Sequence, residues 1–371
     1  MKKENNILII ASEFPPNVGG IGNHAYHLAK SLASNGFQVH VVADVIDVTQ
    51  KELAAFQLTL SFKFSPVIRT KNLSLTYFRR VAKTITTAYK ANYIICSGKF
   101  PLWLINVLRN VYRHKKILSI VHGSELDLKS KKGSHLITAA LKKSNAIISV
   151  SSYTESFIDK RVIEKVPCYI IHNGINLSEF NANVSNNKIN GLPKLITIGS
   201  MTDRKGQENV LKAMPEILKS YPKAVYHIIG KPYEKERLQH IVSSLNISSS
   251  VFFHDELKRS DLLNVLGNCD IKLMLSNHTN EGDFEGFGIA ILEANAMGKP
   301  AIGSNFGGIT DAIENNKTGI LVSPHNPAEI SNAIKTILND YSTYSQNALL
   351  WAKQHDWKLI IQQYIKVLQS L

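Results

Sequence analysis

Two carboxylates eight residues apart, Glu285 and Glu293, frame the stretch of this sequence best suited to chemistry. Between them stand Gly286, Phe287 and Gly288, then the apolar run Ile289 to Leu292. The run Ile289 to Met297 predicts a helix, with Glu293 inside it and Glu285 in the loop before it. Glycine has no Cβ and tolerates positive φ, so backbone here can come close to a ligand. A helix N-terminus offers unpaired N–H groups to a phosphate or to a developing negative charge. One short element therefore offers an acid, a set of amide donors and a second acid. Taken locally, a loop and a buried helix with two solvated glutamates account for the same residues equally well.

Other loops carry compatible chemistry. The segment Ile198 to Gln207 (IGSMTDRKGQ) sets Gly199, Ser200, Arg204 and Lys205 between a strand and a helix. Cationic side chains and helix amides can there meet one diphosphate; a solvated Arg–Lys pair would look the same. Ile120 to Glu125 (IVHGSE) puts His122 at the carboxyl end of a strand, a place where packing uses histidine as readily as catalysis does. Asn17 to Gly22 (NVGGIG) follows the strand Ile7 to Ala11 and opens a helix, so the amides at Gly19 and Gly20 suit a phosphate. Gly20, Gly22 and Ala25 also match the GxGxxA dinucleotide fingerprint, with Asp44 standing where a ribose-binding acid would. The intervening SEFPPNV, with two prolines, fits a longer loop better than the tight turn that fingerprint needs. Gly307 to Asp311 is another glycine turn into a helix, and Ile171 to Ile175 (IHNGI) another turn.

The elements that must position these loops alternate along the chain. Strand-like apolar runs at Ile7–Ala11, Gln38–Ala43, Tyr93–Cys96, Lys116–Val121, Ala146–Val150 and Cys168–Ile171 are separated by helical patterns. The Asn-rich stretch Asn181 to Gly191 reads as a linker. A second series follows, with strands at Lys194–Ile198, Ala224–Ile229, Val251–Phe253, Ile271–Leu275, Pro300–Gly303 and Gly319–Val322. The tail from Tyr344 to Leu371 reads as helix. Alternating β and α implies parallel sheets with helices on both faces. The expected architecture is α/β: two facing Rossmann-like domains, residues 1–180 and 192–350, joined by the linker 181–191, with a deep interdomain cleft. Residues 351–371 are expected to cross back to the first domain.

Composition narrows the class. With 371 residues, 44% hydrophobic and 19% charged, the chain is long enough for two packed domains. It has no apolar run of the roughly 18 residues that a membrane span needs. Three scattered cysteines, Cys96, Cys168 and Cys269, fit a reduced cytoplasmic protein. Residues 1–180 hold 24 Lys and Arg against 11 Asp and Glu, whereas residues 181–371 hold 19 against 18. Between Glu52 and Glu125 there is no acid, yet twelve basic residues from Lys63 to Lys116. Aromatics such as Tyr77, Phe78, Phe100 and Trp103 are interleaved with them. Such an interval, 53–124, suits an anionic membrane surface, a phosphate-bearing acceptor or nucleic acid.

Jointly the sequence resembles glycosyltransferase family 4, retaining enzymes of the GT-B fold, over essentially its whole length. The most specific part is the E-x7-E element, Glu285 to Glu293. GGIG, HGSE at His122, HNGI at Asn173, KGQ at Lys205 and the GG turn before Asp311 support it. The resemblance extends to bacterial mannosyl- and related transferases acting on lipids or surface polysaccharides. It implies that Lys205 and a nearby Arg neutralise the donor diphosphate and that Glu293 binds the ribose. Glu285 and the amides of Gly286 to Ile289 hold the donor sugar, and His122 contacts it near the reacting carbon. Gly19 and Gly20 approach the phosphate, and Gly230 and Lys231 lie where the family often places the nucleobase. One departure is Ser200, where the family usually has Arg; Arg204 is the nearby substitute. Asp311 stands where Glu is common.

The expectation is a metal-independent hexosyltransferase using a GDP- or UDP-sugar, with no cofactor. The acceptor is a lipid-linked or cell-surface glycan. The location is cytoplasmic, peripheral on the inner face of the membrane. A GT-B-type nucleotide-sugar epimerase, an NAD-dependent dehydrogenase and a nucleic-acid binder are the rivals. The last gives no reason for the acidic pair, so no nucleic-acid partner is expected.

Overall fold

The computed structural model describes residues 5–16, 19–46, 48–127, 130–180, 190–279 and 283–371. Most of the expected linker, Asn17 and Val18 of the NVGGIG loop, and Glu281 lie outside the described residues. The chain divides into two compact units, residues 1–174 with 357–371, and residues 175–356.

The first unit holds a seven-stranded sheet. Its strands are β1 (Asn6–Ala11), β2 (Gln38–Val45), β3 (Lys63–Ile68), β4 (Tyr93–Ser97), β5 (Lys116–Val121), β6 (Ala146–Ser149) and β7 (Cys168–Ile170), in the order β3-β2-β1-β4-β5-β6-β7. The pairings are parallel, as Ile9↔Val41 and Ile9↔Ile95 illustrate. Central strands such as NILIIA and KILSIV are apolar on both faces because helices cover both. Chain order reverses between β1 and β4, so the loops after those strands splay apart.

Strand β3 and the helix Gln50–Leu58 before it are additions to the sequence reading. KFSPVI contains a lysine and a proline and sits at the sheet edge, where a missing N–H is tolerated. The helix starts on a capping box in which Thr49 and Glu52 exchange hydrogen bonds.

The second unit holds a six-stranded parallel sheet. Its strands are β8 (Lys194–Ile198), β9 (Val225–Ile229), β10 (Val251–His254), β11 (Ile271–Met274), β12 (Ala301–Ser304) and β13 (Gly319–Val322), in the order β10-β9-β8-β11-β12-β13. The order reverses between β8 and β11. Helices Gln207–Ser220 and Pro327–Asn339 bury Val210, Met214, Ile217, Ile330 and Ile334 against Leu195, Tyr226 and Leu273 of this sheet.

The tail is two helices, Tyr341–Gln354 and Trp357–Ser370, where the sequence reads as one. The break falls at His355 and Asp356, with no Gly or Pro to mark it. There the Ile175 N–H donates to the His355 carbonyl at 2.9 Å and Ile175 bridges to Asp356. The second of these helices packs in the first unit: His24 of helix Gly20–Ser34 bonds Tyr364 Oη at 3.0 Å. Among the described residues, no helix is long and apolar enough to cross a membrane.

Candidate functional site

In the second unit the loops after β8 and β11 meet at one carboxylate. Lys205 Nζ lies 2.6 Å from Glu285 Oε2, and Arg204 Nη1 lies 2.7 Å from the same oxygen. Two adjacent cations and an acid 80 and 81 residues further along the chain thus form one cluster. Burial pushes the Glu285 carboxyl up, but the charges of Lys205 and then Arg204, with their hydrogen bonds, outweigh it and hold it down at about 2. One carboxylate shared by two cations leaves a surplus of one positive charge. The side chains of Glu285, Lys205 and Arg204 keep 14%, 16% and 31% of their surface exposed.

The backbone explains the placement. Gly206 has φ +68 and starts helix Gln207–Ser220; a Cβ there would sit 1.7 Å from the Leu275 carbonyl oxygen. Only glycine brings Lys205 this close to the end of β11. Asn277 fixes the same turn: its N–H donates to the Arg204 carbonyl at 3.0 Å, and its Nδ2 donates to Asp203. Gln207 donates to the carbonyls of Gly199 and Ser200. Across from the cluster, the Gly308 N–H donates to the Glu285 carbonyl at 2.9 Å, and a Cβ on Gly308 would come within 1.9 Å of the Gly286 carbonyl oxygen. The glycine turn at Gly307 therefore clamps the Glu285 loop. The missing Cβ of Gly308 is what lets the two loops come this close.

The loop after β9 joins this group. Gly199 N–H donates to Ile229, and Met201 N–H donates to Lys231, each at 2.9 Å. Gly199, Ser200, Gly230 and Lys231 are thereby neighbours. Phe287 is 2% exposed, and Gly288 caps the helix Ile289–Asn295. Glu293, inside that helix, has a different partner: Arg259 Nη1 donates to its Oε1 at 3.0 Å, and Arg259 Nη2 reaches Glu179 at 3.4 Å. Arg259, Asn277 and Gln207 carry no role in the sequence reading. Gln207 was legible there as part of KGQ; the other two have no local signature.

In the first unit His122 follows β5. Its Nε2 bonds Ser97 Oγ at 2.8 Å, and its N–H donates to the buried Glu125 carboxylate at 2.6 Å. Burial carries the imidazole down to about 4, so it is neutral near pH 7. His24, fully enclosed, sits edge-on to it at 5.0 Å between ring centroids, and Trp357 lies 5.3 Å from His24. Gly19 and Gly20 begin the helix Gly20–Ser34 as expected. Glu13 already accepts from the Gly22 N–H there, and burial raises its carboxyl despite that bond.

Two readings change. Asp44, the candidate ribose acid of a dehydrogenase, is 5% exposed and ion-paired with Arg80, so it is committed inside the unit. The basic interval is also smaller outside than its composition implies. Arg80 is buried, Arg109 donates to the carbonyls of Lys143, Arg113 and Lys115, and Lys115 donates to those of Tyr89 and Ala91. Lys63, Arg69, Lys71, Arg79, Lys83, Lys90, Lys99 and Arg113 remain exposed.

Comparison with known proteins agrees with this architecture. Residues 18–179 match the model of "Glycosyltransferase Family 4", and residues 179–356 match that of "Glycosyl transferases group 1". A Corynebacterium glutamicum protein named GDP-mannose-dependent monoacylated alpha-(1-6)-phosphatidylinositol monomannoside mannosyltransferase is 23% identical, over 92% of this chain and 90% of its own. A Mycobacterium tuberculosis glycogen synthase is 22% identical over 92% and 88%. Among solved structures, Anabaena Alr3699/HepE in complex with UDP and glucose superposes with a TM-score of 0.78 at 18% identity, over 99% of this chain and all of that one. Sucrose-phosphate synthase from Thermosynechococcus elongatus gives 0.78 at 20% identity, over 99% and 98%. With the two family models together spanning residues 18–356, this chain belongs to the family 4 glycosyltransferases and has the GT-B type of two-sheet α/β fold.

Proposed function

We propose that the protein transfers a hexose from a GDP- or UDP-sugar to a hydroxyl of a lipid-linked or cell-surface glycan, with retention at the sugar carbon. The observation that carries this reading is the two-cation cluster on Glu285. Arg204 and Lys205 supply more positive charge than one carboxylate neutralises, beside the start of helix Gln207–Ser220. That is the electrostatic demand of a departing diphosphate. The pairing of Arg204 with Glu285 supports Arg204 as the second cation in place of Ser200. The names of the mannosyltransferase and of the complex with UDP and glucose favour a nucleotide-sugar donor.

In this mechanism the bond from the sugar carbon to the phosphate oxygen breaks as the acceptor oxygen bonds to the same face. The acceptor proton passes to the departing phosphate. Lys205, Arg204 and the amides near Gly199 and Ser200 hold the growing charge, with no metal required. Glu285 and the backbone at Gly286 to Ile289 hold the sugar, Glu293 the ribose, and Gly230 and Lys231 the base. Neutral His122 contacts the sugar near its reacting carbon, and Gly19 and Gly20 approach the phosphate. An epimerase would use the same donor without an acceptor, and product analysis with acceptor omitted separates the two.

The acceptor reading draws on the first unit. Helix Leu73–Ala88 exposes Leu73, Leu75, Tyr77 and Phe78 beside Lys71, Arg79 and Lys83. Apolar and cationic side chains in that arrangement suit an anionic lipid surface.

A panel of nucleotide sugars, scored by thermal stabilisation, should identify the donor. With that donor, Glu285→Ala should abolish transfer while nucleotide binding stays detectable. Unchanged turnover in the variant would sink the assignment.

A further inference from the structure

Lys272 is a lysine with 0% exposure in the middle of a sheet. It lies on β11 at the point where chain order reverses, paired in register with Ile196 of β8 and Ala301 of β12. Its Nζ donates to the Ile198 carbonyl at 3.4 Å, a long contact for an ammonium. An apolar side chain of similar length would fill the same space without desolvating an amine.

The Ile198 carbonyl ends β8, so the amine lies where the loop that carries Arg204 and Lys205 begins, and four groups act on it electrostatically. Lys205 does so from the loop ahead of helix Gln207–Ser220, Glu293 from helix Ile289–Asn295, Glu285 from the loop before that helix, and Cys269 from ahead of β11. The Cys269 thiol is pushed up to about 12 and is uncharged near neutrality. Both carboxylates are already committed, Glu285 to Lys205 and Arg204, and Glu293 to Arg259. Burial, and after it the charge of Lys205, bring the Lys272 amine down to about 7.

We propose that Lys272 is a proton-accepting charge partner of the Arg204–Lys205 anion site: a nucleoside diphosphate bound there draws a solvent proton onto the Lys272 amine. The inference rests on the diphosphate reading of that site. The step balances simply. A hydronium or buffer acid gives up a proton, Nζ gains it, and the new buried cation faces the added negative charge. In consequence donor binding takes up protons near neutrality and weakens as the pH rises above about 7. Lys272 acts through the field of the site and is a positioning residue.

Calorimetric titration of UDP and of GDP into the protein near pH 7.5, in MOPS and in Tris, reads this directly, because the buffers differ in ionisation enthalpy. The expected result is an uptake of up to about one proton per nucleotide by wild type. The uptake is lost in Lys272→Arg, charged throughout, and in Lys272→Met, never charged. The arginine variant should also bind with an affinity that no longer falls with pH. Wild-type heats that do not depend on buffer overturn the inference without recourse to any variant, as does an uptake that survives Lys272→Arg. Inorganic pyrophosphate separates the two levels. If it binds with the uptake while both nucleotides fail, the nucleotide reading falls and Lys272 keeps its role. If no anion binds, both fall.

Discussion

Each unit contains an acid–cation cluster, and the two clusters have opposite characters. In the first unit Asp44 pairs with Arg80 one to one, with side-chain exposures of 6% and 9%. The guanidinium is roofed by Phe100 at 4.0 Å and Tyr77 at 5.3 Å to the ring centroids. Burial brings the Arg80 guanidinium down to about 10, still charged at neutral pH. In the second unit one acid holds two cations, a buried lysine lies within their field, and Arg204 keeps about a third of its side chain in solvent. A closed pair with balanced charge has nothing to offer a ligand. An open cluster with surplus charge does. The comparison also shows where net charge misleads. The half with a large positive balance holds the neutralised pair, and the nearly balanced half holds the uncompensated cations.

The largest effect that bears on this contrast is Lys205→Ala. Transfer should fall roughly 100- to 1,000-fold, as for removal of one charge-stabilising group, with the melting temperature little changed. Equal losses of activity and stability would erase the distinction. Asp44→Asn should do the reverse. It leaves Arg80 buried without its counter-charge and should destabilise the protein by about 3–5 kcal/mol in denaturant titration. Turnover per folded molecule should stay at the wild-type level, and a specific loss of donor affinity would reopen a ligand role for Asp44. The smallest effect is expected outside both clusters. Lys83→Ala should leave stability within about 0.5 kcal/mol and weaken sedimentation with anionic vesicles roughly five-fold at low salt. Binding that is indifferent to both this change and added salt would remove the basic face from the account.

The alternation of strands and helices was legible in the sequence because central strands buried on both faces are continuous apolar runs. The site loops were legible because they fall at strand ends and carry glycine. Two kinds of fact were not. Pairings such as Lys205 with Glu285 join residues eighty apart, and no local pattern reports who meets whom. Lys272 and Arg259 stayed invisible for that reason. The second kind is inverted amphipathicity. Helix Leu73–Ala88 buries Thr76, Arg80, Thr84 and Ala88 while Leu75, Tyr77 and Phe78 face out. A reading by hydrophobic period places that stripe the wrong way round. The signal was the four-residue spacing of small and polar side chains around a single arginine, with Asp44 waiting on β2.

The docking of helix Trp357–Ser370 onto helix Gly20–Ser34 has a consequence for synthesis. Domains commonly fold in the order they leave the ribosome. Here residues 175–356 are a continuous segment and can finish first. The unit that begins the chain must wait, with His24 short of Tyr364 and Gly174 short of the Trp357 ring, until residue 370 has emerged. The half that is translated first is therefore the half completed last. A nascent chain stopped before Trp357 leaves the buried His24 without its Trp357 and Tyr364 neighbours, a state that quality control can recognise while the other half is already native.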